Sequence, residues 1–369
     1  MARFKVIVAG ALGVVGRAVV SRLAARADVR VVGLARRAPD GGFLEALRGD
    51  GCSVDWVACD LADEAGTRAA LASHCDATHL VYAALHEQPD LVRGWLDPDH
   101  VLRNTAMLRH AFAALADAPL AHVALLQGTK AYGAHAGHAM RVPAREVDAI
   151  RDPRTFYFAQ QDLLEAEASR RGLAWTSFRP QIVLGVAVGS AMNPVASLGA
   201  YAVIRREQGL PLAFPGHRHA LAECVDARLV AAAIEWSWSE PRAHGEAINL
   251  ANGDVVVWRT LFERLAQLFD MPMTDERVPV VEAMSLQAAL WRRIAERESL
   301  RIADLDALIG LSWQYADVLW ANPSPQPIPA LVSTIKARQL GFGGCIDSEQ
   351  CIVEHLAEMQ RLGYLPRRG

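Results

Sequence analysis

Along the first 180 positions, apolar residues alternate between two rhythms. Unbroken or nearly unbroken runs at Phe4 to Ala9, Val29 to Leu34, Ser53 to Cys59, His79 to Ala83, His122 to Leu126 and Ala174 to Phe178 have the length of strands buried on both faces. Between them the spacing predicts a helix to about Ala27, a weak helix after a glycine loop, and helices over Glu64 to Ala72, Asp99 to Leu115 and Tyr157 to Arg171. In the last of these, apolar Leu163, Leu164 and Ala168 stand against charged Glu165, Glu167 and Arg170. Strands and helices in this alternation predict an α/β fold with a doubly wound parallel sheet, its ligands lying at the carboxyl ends of the strands.

From Arg179 onward the pattern changes. Pro180, Pro194, Pro211 and Pro215 predict short pieces, and Ala247 to Leu250 predicts a returning strand. A helix over Trp258 to Phe269, a Trp-rich helical section from Met284 to Trp320, a Pro-rich link from Pro323 to Pro329 and a terminal helix over Asp347 to Leu362 follow. The organisation expected is a nucleotide-binding domain over 1–180, with a returning segment at about 220–255, and an α-rich C-terminal substrate cap made of 181–219 and 256–369.

Composition narrows the class. Hydrophobic residues make up 52% and aromatics only 7%, which suits Ala/Val/Leu-packed helices on a sheet. A formal charge of −3 gives no electrostatic case for nucleic acid or an anionic membrane as partner. Arg17, Arg22 and Arg26 interrupt the first long apolar stretch, so no membrane span is expected, and a strand beginning at residue 4 leaves no room for a signal peptide. The six cysteines are dispersed and form no C-x-x-C, the usage of a reduced compartment. A cytoplasmic protein is expected, with a homodimer as the candidate assembly.

Gly10-x-x-Gly13-x-x-Gly16 sits between the first strand and first helix, the context of a dinucleotide-binding, Rossmann-type turn. Gly10 permits the turn, Gly13 lets backbone approach a pyrophosphate, and Gly16 lets the helix pack closely, while the helix N-terminus favours negative charge. Where an NAD-binding chain would offer a carboxylate, Arg36 and Arg37 stand instead and can grip a 2′-phosphate, so NADPH is the expected cofactor. Asp60 can accept from the adenine amino group or cap the following helix. Leu12, Val14, Leu61, Ala83, Pro180, Ile182 and Val183 are the other expected cofactor neighbours.

Tyr157 opens its helix facing the end of a strand, where a phenol can reach a ligand. Together with the glycine spacing, this resembles the short-chain dehydrogenase/reductases, whose pattern places Ser or Thr four residues before a Tyr-Gly pair and later a Tyr-x-x-x-Lys. Here Gly128 precedes Tyr132-Gly133, Gln161 follows Tyr157, and a lysine appears at Lys130. That rearrangement is similar to the progesterone 5β-reductase/iridoid synthase-like enzymes, an atypical extended branch. Their T-G-x-K-x-Y meets Gly128, Lys130 and Tyr132, and their N-F-Y-Y-x-x-E-D meets Phe156, Tyr157 and Asp162. Leu34-Ala35-Arg36-Arg37, Arg179-Pro180, Met192-Asn193, Ala251 to Asp254 with Trp258, and Leu340-Gly341-Phe342-Gly343 extend the likeness over nearly the whole chain.

The resemblance implies NADPH-dependent reduction of a C=C bond conjugated to a carbonyl, on a small hydrophobic enone or enal. Tyr157 and Lys130 would be catalytic, the tyrosine stabilising an enolate and the lysine orienting the ribose and lowering the phenol's pKa. Leu85, Ala136, Gln181, Tyr201 and Phe342 would line the substrate site. Leu85, Ala136 and the Gln181-Ile182 pair replace the family's Trp, Phe and Gly-Asn, Thr155 and Phe158 its Asn and second Tyr, so steroid or iridoid substrates do not carry over. The alternatives are an aldehyde or ketone reductase, a nucleotide-sugar epimerase-like enzyme, against which the missing Tyr-x-x-x-Lys speaks, and an NADP(H)-sensing protein without turnover. No metal is expected from His135 and His138 or from His217 and His219. Trp236, Trp238, Trp291, Trp313 and Trp320 read better as packing between cap helices than as a pocket wall.

Overall fold

The computed structural model describes residues 3–216, 220–320 and 330–367. Its frame is a seven-stranded sheet: β1 (Phe4–Ala9), β2 (Val29–Ala35), β3 (Asp55–Ala58), β4 (His79–Tyr82), β5 (His122–Leu126), β6 (Ala174–Pro180) and β7 (Glu246–Leu250). The order is β7-β6-β5-β4-β1-β2-β3 and every pair is parallel. The order reverses between β1 and β4, which opens a crevice at the carboxyl ends of those two strands.

Helices cover both faces, which is why the central strands read as continuous apolar runs. On one side lie α1 (Val14–Ala24) and α2 (Gly41–Gly49); on the other lie α3 (Glu64–Leu71), α4 (Pro98–Ala114) and α5 (Phe156–Arg171). After β6 come α6 (Pro194–Glu207) and α7 (Ala227–Ser237), and α7 packs along α1. The cap is built from α6 with α8 (Trp258–Leu268), α9 (Ala288–Arg297), α10 (Ser312–Trp320) and α11 (Ser348–Arg361). Its core contains Tyr201, Phe214, Phe262, Trp291 and Trp320, all fully buried.

Two departures from the sequence pattern have physical causes. Pro194 starts a fourteen-residue helix instead of breaking the chain, because it stands at the first helical position, where a missing N–H costs nothing. Asn193 caps that helix, its side chain accepting from Val195 N at 3.1 Å. Residues 331–346 do not join the cap: Val332 bridges to Ala144, and Lys336 reaches β7, with Nζ donating to Ala247 O at 2.8 Å. The Pro-rich link at 323–329 and the pair His217 and His219 lie outside the described residues. Trp291, Trp313 and Trp320 pack in the cap core as expected, whereas Trp238 packs against Phe4 and His79 and Trp236 against Phe342, beside the sheet and away from the cap helices.

At the amino ends of the strands, His79 on β4 and His122 on β5 are buried side by side, ring centroids 6.3 Å apart. Burial pushes their pKa values down to about 4 and about 3. No described helix is long and apolar enough to cross a membrane.

Candidate active site

The glycine turn is shaped by main chain pressing on main chain. Gly10 has φ +80°, and a Cβ there would lie 2.6 Å from Ala83 O; a Cβ on Gly16 would lie 2.1 Å from Gly10 O. Gly13 behaves differently. It is the N-cap of α1, offers no side-chain cap, and a Cβ there would meet nothing closer than 3.4 Å. The first N–H groups of α1 therefore face a floor without side chains, the arrangement that receives a pyrophosphate.

Arg36 and Arg37 follow β2 on the same crevice, and no carboxylate stands at that strand end. The expectation for them needs one correction. Arg37 Nη2 donates to Val188 O, tying the strand end to the cap loop, and burial depresses its pKa. Both arginines are exposed on the crevice, and among the described residues Arg36 has no hydrogen bond or ion pair. Asp60 also lines the crevice; its Oδ1 accepts from Ala62 N at 3.1 Å, while the helix cap it was weighed for is Asp63.

The crevice continues into a cavity of about 1100 Å³ closed by the cap. That exceeds the roughly 300–1,000 Å³ that encloses one drug-sized ligand, leaving room for a dinucleotide and a second small molecule. All the residues expected around the cofactor line it: Gly10, Leu12, Gly13, Val14, Gly16, Arg36, Arg37, Asp60, Leu61, Ala83, Lys130, Tyr157, Pro180, Ile182 and Val183.

At the inner end, Lys130 stands on the 3-10 turn Thr129–Tyr132 after β5, and Tyr157 on the first turn of α5. Lys130 Nζ is 3.9 Å from the centroid of the Trp95 ring and 3.7 Å from Glu87 Oε1. Burial pushes its pKa down to about 8 against the pull of Glu87. The Tyr157 ring is buried, and among the described residues its hydroxyl has no hydrogen-bond partner. Its pKa is raised, chiefly by burial and then by the charge of Glu87. The expectation that Lys130 lowers it is thus overturned: the ammonium is engaged by Glu87 and Trp95, and the phenol is held protonated. Gly128 explains the lost serine, since a Cβ there would lie 3.0 Å from the phenol oxygen. Gln161, in the place of the usual lysine, faces Gln127 and Glu165 outside the cavity.

Of the residues expected around the substrate, Leu85 and Gln181 line the cavity. Ala136, Tyr201 and Phe342 do not. Ala136 lies half-buried on the neighbouring turn Ala134–Ala136, whose His135 takes the wall position. Tyr201 is fully buried in the cap, its hydroxyl donating to Ala213 O at 2.9 Å. Phe342 packs tilted against Trp236 of α7, ring centroids 5.4 Å apart, away from the cavity. Sequence reasoning missed Glu87, Trp95 and Tyr315, which carry no spacing signal because they sit on a loop and on a remote cap helix.

Elsewhere, Asp226, Cys351 and His355 cluster as metal ligands could. Yet the Asp226 carboxylate already accepts from Arg228, from Cys351 Sγ at 3.0 Å and from His355 Nε2 at 3.2 Å, which makes it a buried knot tying α7 to α11.

The profile of the NAD dependent epimerase/dehydratase family matches residues 6–251. Among curated proteins, the chain is similar to (S)-8-oxocitronellyl enol synthase of Antirrhinum majus, 28% identical with 91% of this chain and 85% of that one covered. The enzyme of the same name from Catharanthus roseus is 27% identical, covering 85% and 80%. The 3-oxo-Delta(4,5)-steroid 5-beta-reductase of Arabidopsis thaliana is 27% identical, covering 85% and 81%. Among solved structures, UDP-glucose 4-epimerase of Thermotoga maritima superposes with a TM-score of 0.67 at 15% identity, covering 97% and 99%. That of Thermus thermophilus, in complex with NAD, gives 0.64 at 16% over 97% and 99%. The structural matches share the fold.

Proposed function

Since the chain belongs to the NAD dependent epimerase/dehydratase family, and its curated relatives over most of its length are oxidoreductases of the iridoid synthase and steroid 5β-reductase kind, we propose that it is an NADPH-dependent reductase of activated C=C bonds. The observation that carries this reading is the meeting of a protonated phenol and an ammonium, Tyr157 and Lys130, in one cavity with the glycine turn.

When bound, the nicotinamide supplies a hydride. The first N–H groups of α1 bind the pyrophosphate and Arg36 the 2′-phosphate, a charge-assisted contact that selects NADPH over NADH. As the C=C bond of an enal or enone is reduced, negative charge gathers on the conjugated oxygen. Tyr157 answers it as a hydrogen-bond donor, a role that needs the proton that burial and Glu87 keep on it. Lys130 adds positive potential to the same wall. Leu85, Phe156, Met192 and Tyr315 give that end an apolar lining that suits a small hydrophobic substrate and excludes water.

The test is an NADPH-consumption screen of small cyclic enones, enals and aldehydes with product analysis. Saturated carbonyl products are expected. Allylic or simple alcohols would instead make the protein a carbonyl reductase, and tight NADPH binding without consumption would make it a sensor.

A further inference from the structure

The segment that leaves β4 is fixed before it reaches the cavity. Asn104 of α4 accepts from His86 N at 2.9 Å and donates to His86 O at 3.0 Å, and His100 Nε2 lies 2.8 Å from the same oxygen. The next side chain, Glu87, is thereby aimed at Lys130. Its carboxylate is 5% exposed, and both oxygens are closed off from solvent and accept no hydrogen bond.

The charged and titratable neighbours account for themselves one by one. His100 Nε2 is 3.2 Å from Glu87 Oε2 but directs its hydrogen to His86 O. Arg103 is turned to His86 Nε2, at 3.1 Å. His135, on the other side of Lys130, is held neutral by burial and by that ammonium, and faces Thr155 Oγ1 at 3.2 Å. Tyr157 is a neutral phenol. Among the described residues, Lys130 is the lysine or arginine that pairs with the buried carboxylate, 3.7 Å away, with the Trp95 ring covering the ammonium on another side. A buried carboxylate without a countercharge costs several kcal/mol, so the two groups hold each other in place.

We propose that Glu87 is a positioning residue for Lys130: a buried carboxylate in the cavity wall that fixes where the ammonium stands and keeps it charged. The role rests on the reductase reading for its consequence, but not for its test. Only three lysines occur in the chain, Lys5, Lys130 and Lys336, so ¹³C-lysine labelling gives a spectrum in which the Lys130 Cε signal is assigned by its loss in Lys130→Met.

In Glu87→Gln, the Lys130 titration midpoint should fall at least one pH unit below the wild-type value, a tenfold loss of proton affinity. Glu87→Asp should restore most of it. The alkaline limb of kcat/KM should move in the same direction, because both the ammonium and the Tyr157 proton lose the same anion. An unchanged Lys130 midpoint in Glu87→Gln overturns the proposal, as does a midpoint that Glu87→Asp fails to recover. If the wild type turns over no enal, enone or aldehyde, the reductase reading fails alone, and the lysine titration still decides the role of Glu87.

Discussion

At the glycine turn the cavity wall is main chain. Gly10, Gly13 and Gly16 set a floor of N–H groups from one continuous stretch, and what that floor leans on is main chain: Ala83 against Gly10, and Leu34 O, which accepts from the N–H groups of Gly10 and Ala11. At the inner end the wall is side chain. Trp95, Lys130, Tyr157 and Tyr315 come from four separate segments, the last of them from the cap. A backbone wall can hold only what all dinucleotides share, their phosphates, and it tolerates little change. A side-chain wall can be replaced one residue at a time, which is why substrate does not follow from the fold.

Tyr157→Phe tests the division most severely. It should lower kcat on every accepted enal or enone by ~10²–10³ while NADPH binding, followed by fluorescence titration, stays within about twofold. An equal loss of both would show that the two ends are not separable. Next in size is an effect of the frame that both ends share. His79 and His122 have folded pKa values below their unfolded value, so below about pH 6.5 protons bind the unfolded chain first and stability falls. His79 alone should remove on the order of 3 kcal/mol by pH 4, read from urea unfolding midpoints between pH 7.5 and 4, with little change above pH 7. Arg36→Ala should weaken NADPH by roughly 10–100-fold, the worth of a charge-assisted contact, and leave NADH unchanged. Comparable losses for the two cofactors would move the 2′-phosphate to Arg37. The smallest effect belongs to the cap: Tyr315→Phe should alter KM for substrate by less than about tenfold with no effect on either cofactor.

The same contrast decides what could be read from the chain beforehand. The strand–glycine–helix opening is local, so its glycines, its strands and the crevice they face were legible, as was the presence of Lys130 and Tyr157 on that crevice, each recognisable by the short motif around it. Glu87 sits in a loop whose path is set at His86 by Asn104 and His100 of α4, and no periodicity reports that. Tyr201 was expected in the substrate site from the resemblance alone, yet its hydroxyl finds a backbone carbonyl and turns inward. Phe342 failed for a topological reason: the chain beyond the cap returns to the sheet's outer edge, a path that depends on Lys336 meeting β7.

That returning path has a temporal consequence. The outermost strand, Glu246–Leu250, is made about 65 residues after its neighbour Ala174–Pro180. At roughly 5–20 residues per second of synthesis, β6 waits on the order of 3–13 s with an unpaired edge of N–H and C=O groups. A ribosome stalled within the proline-bearing stretch between them would lengthen that wait, and nascent chains of the same kind on neighbouring ribosomes would then be the nearest strands for the open edge to pair with.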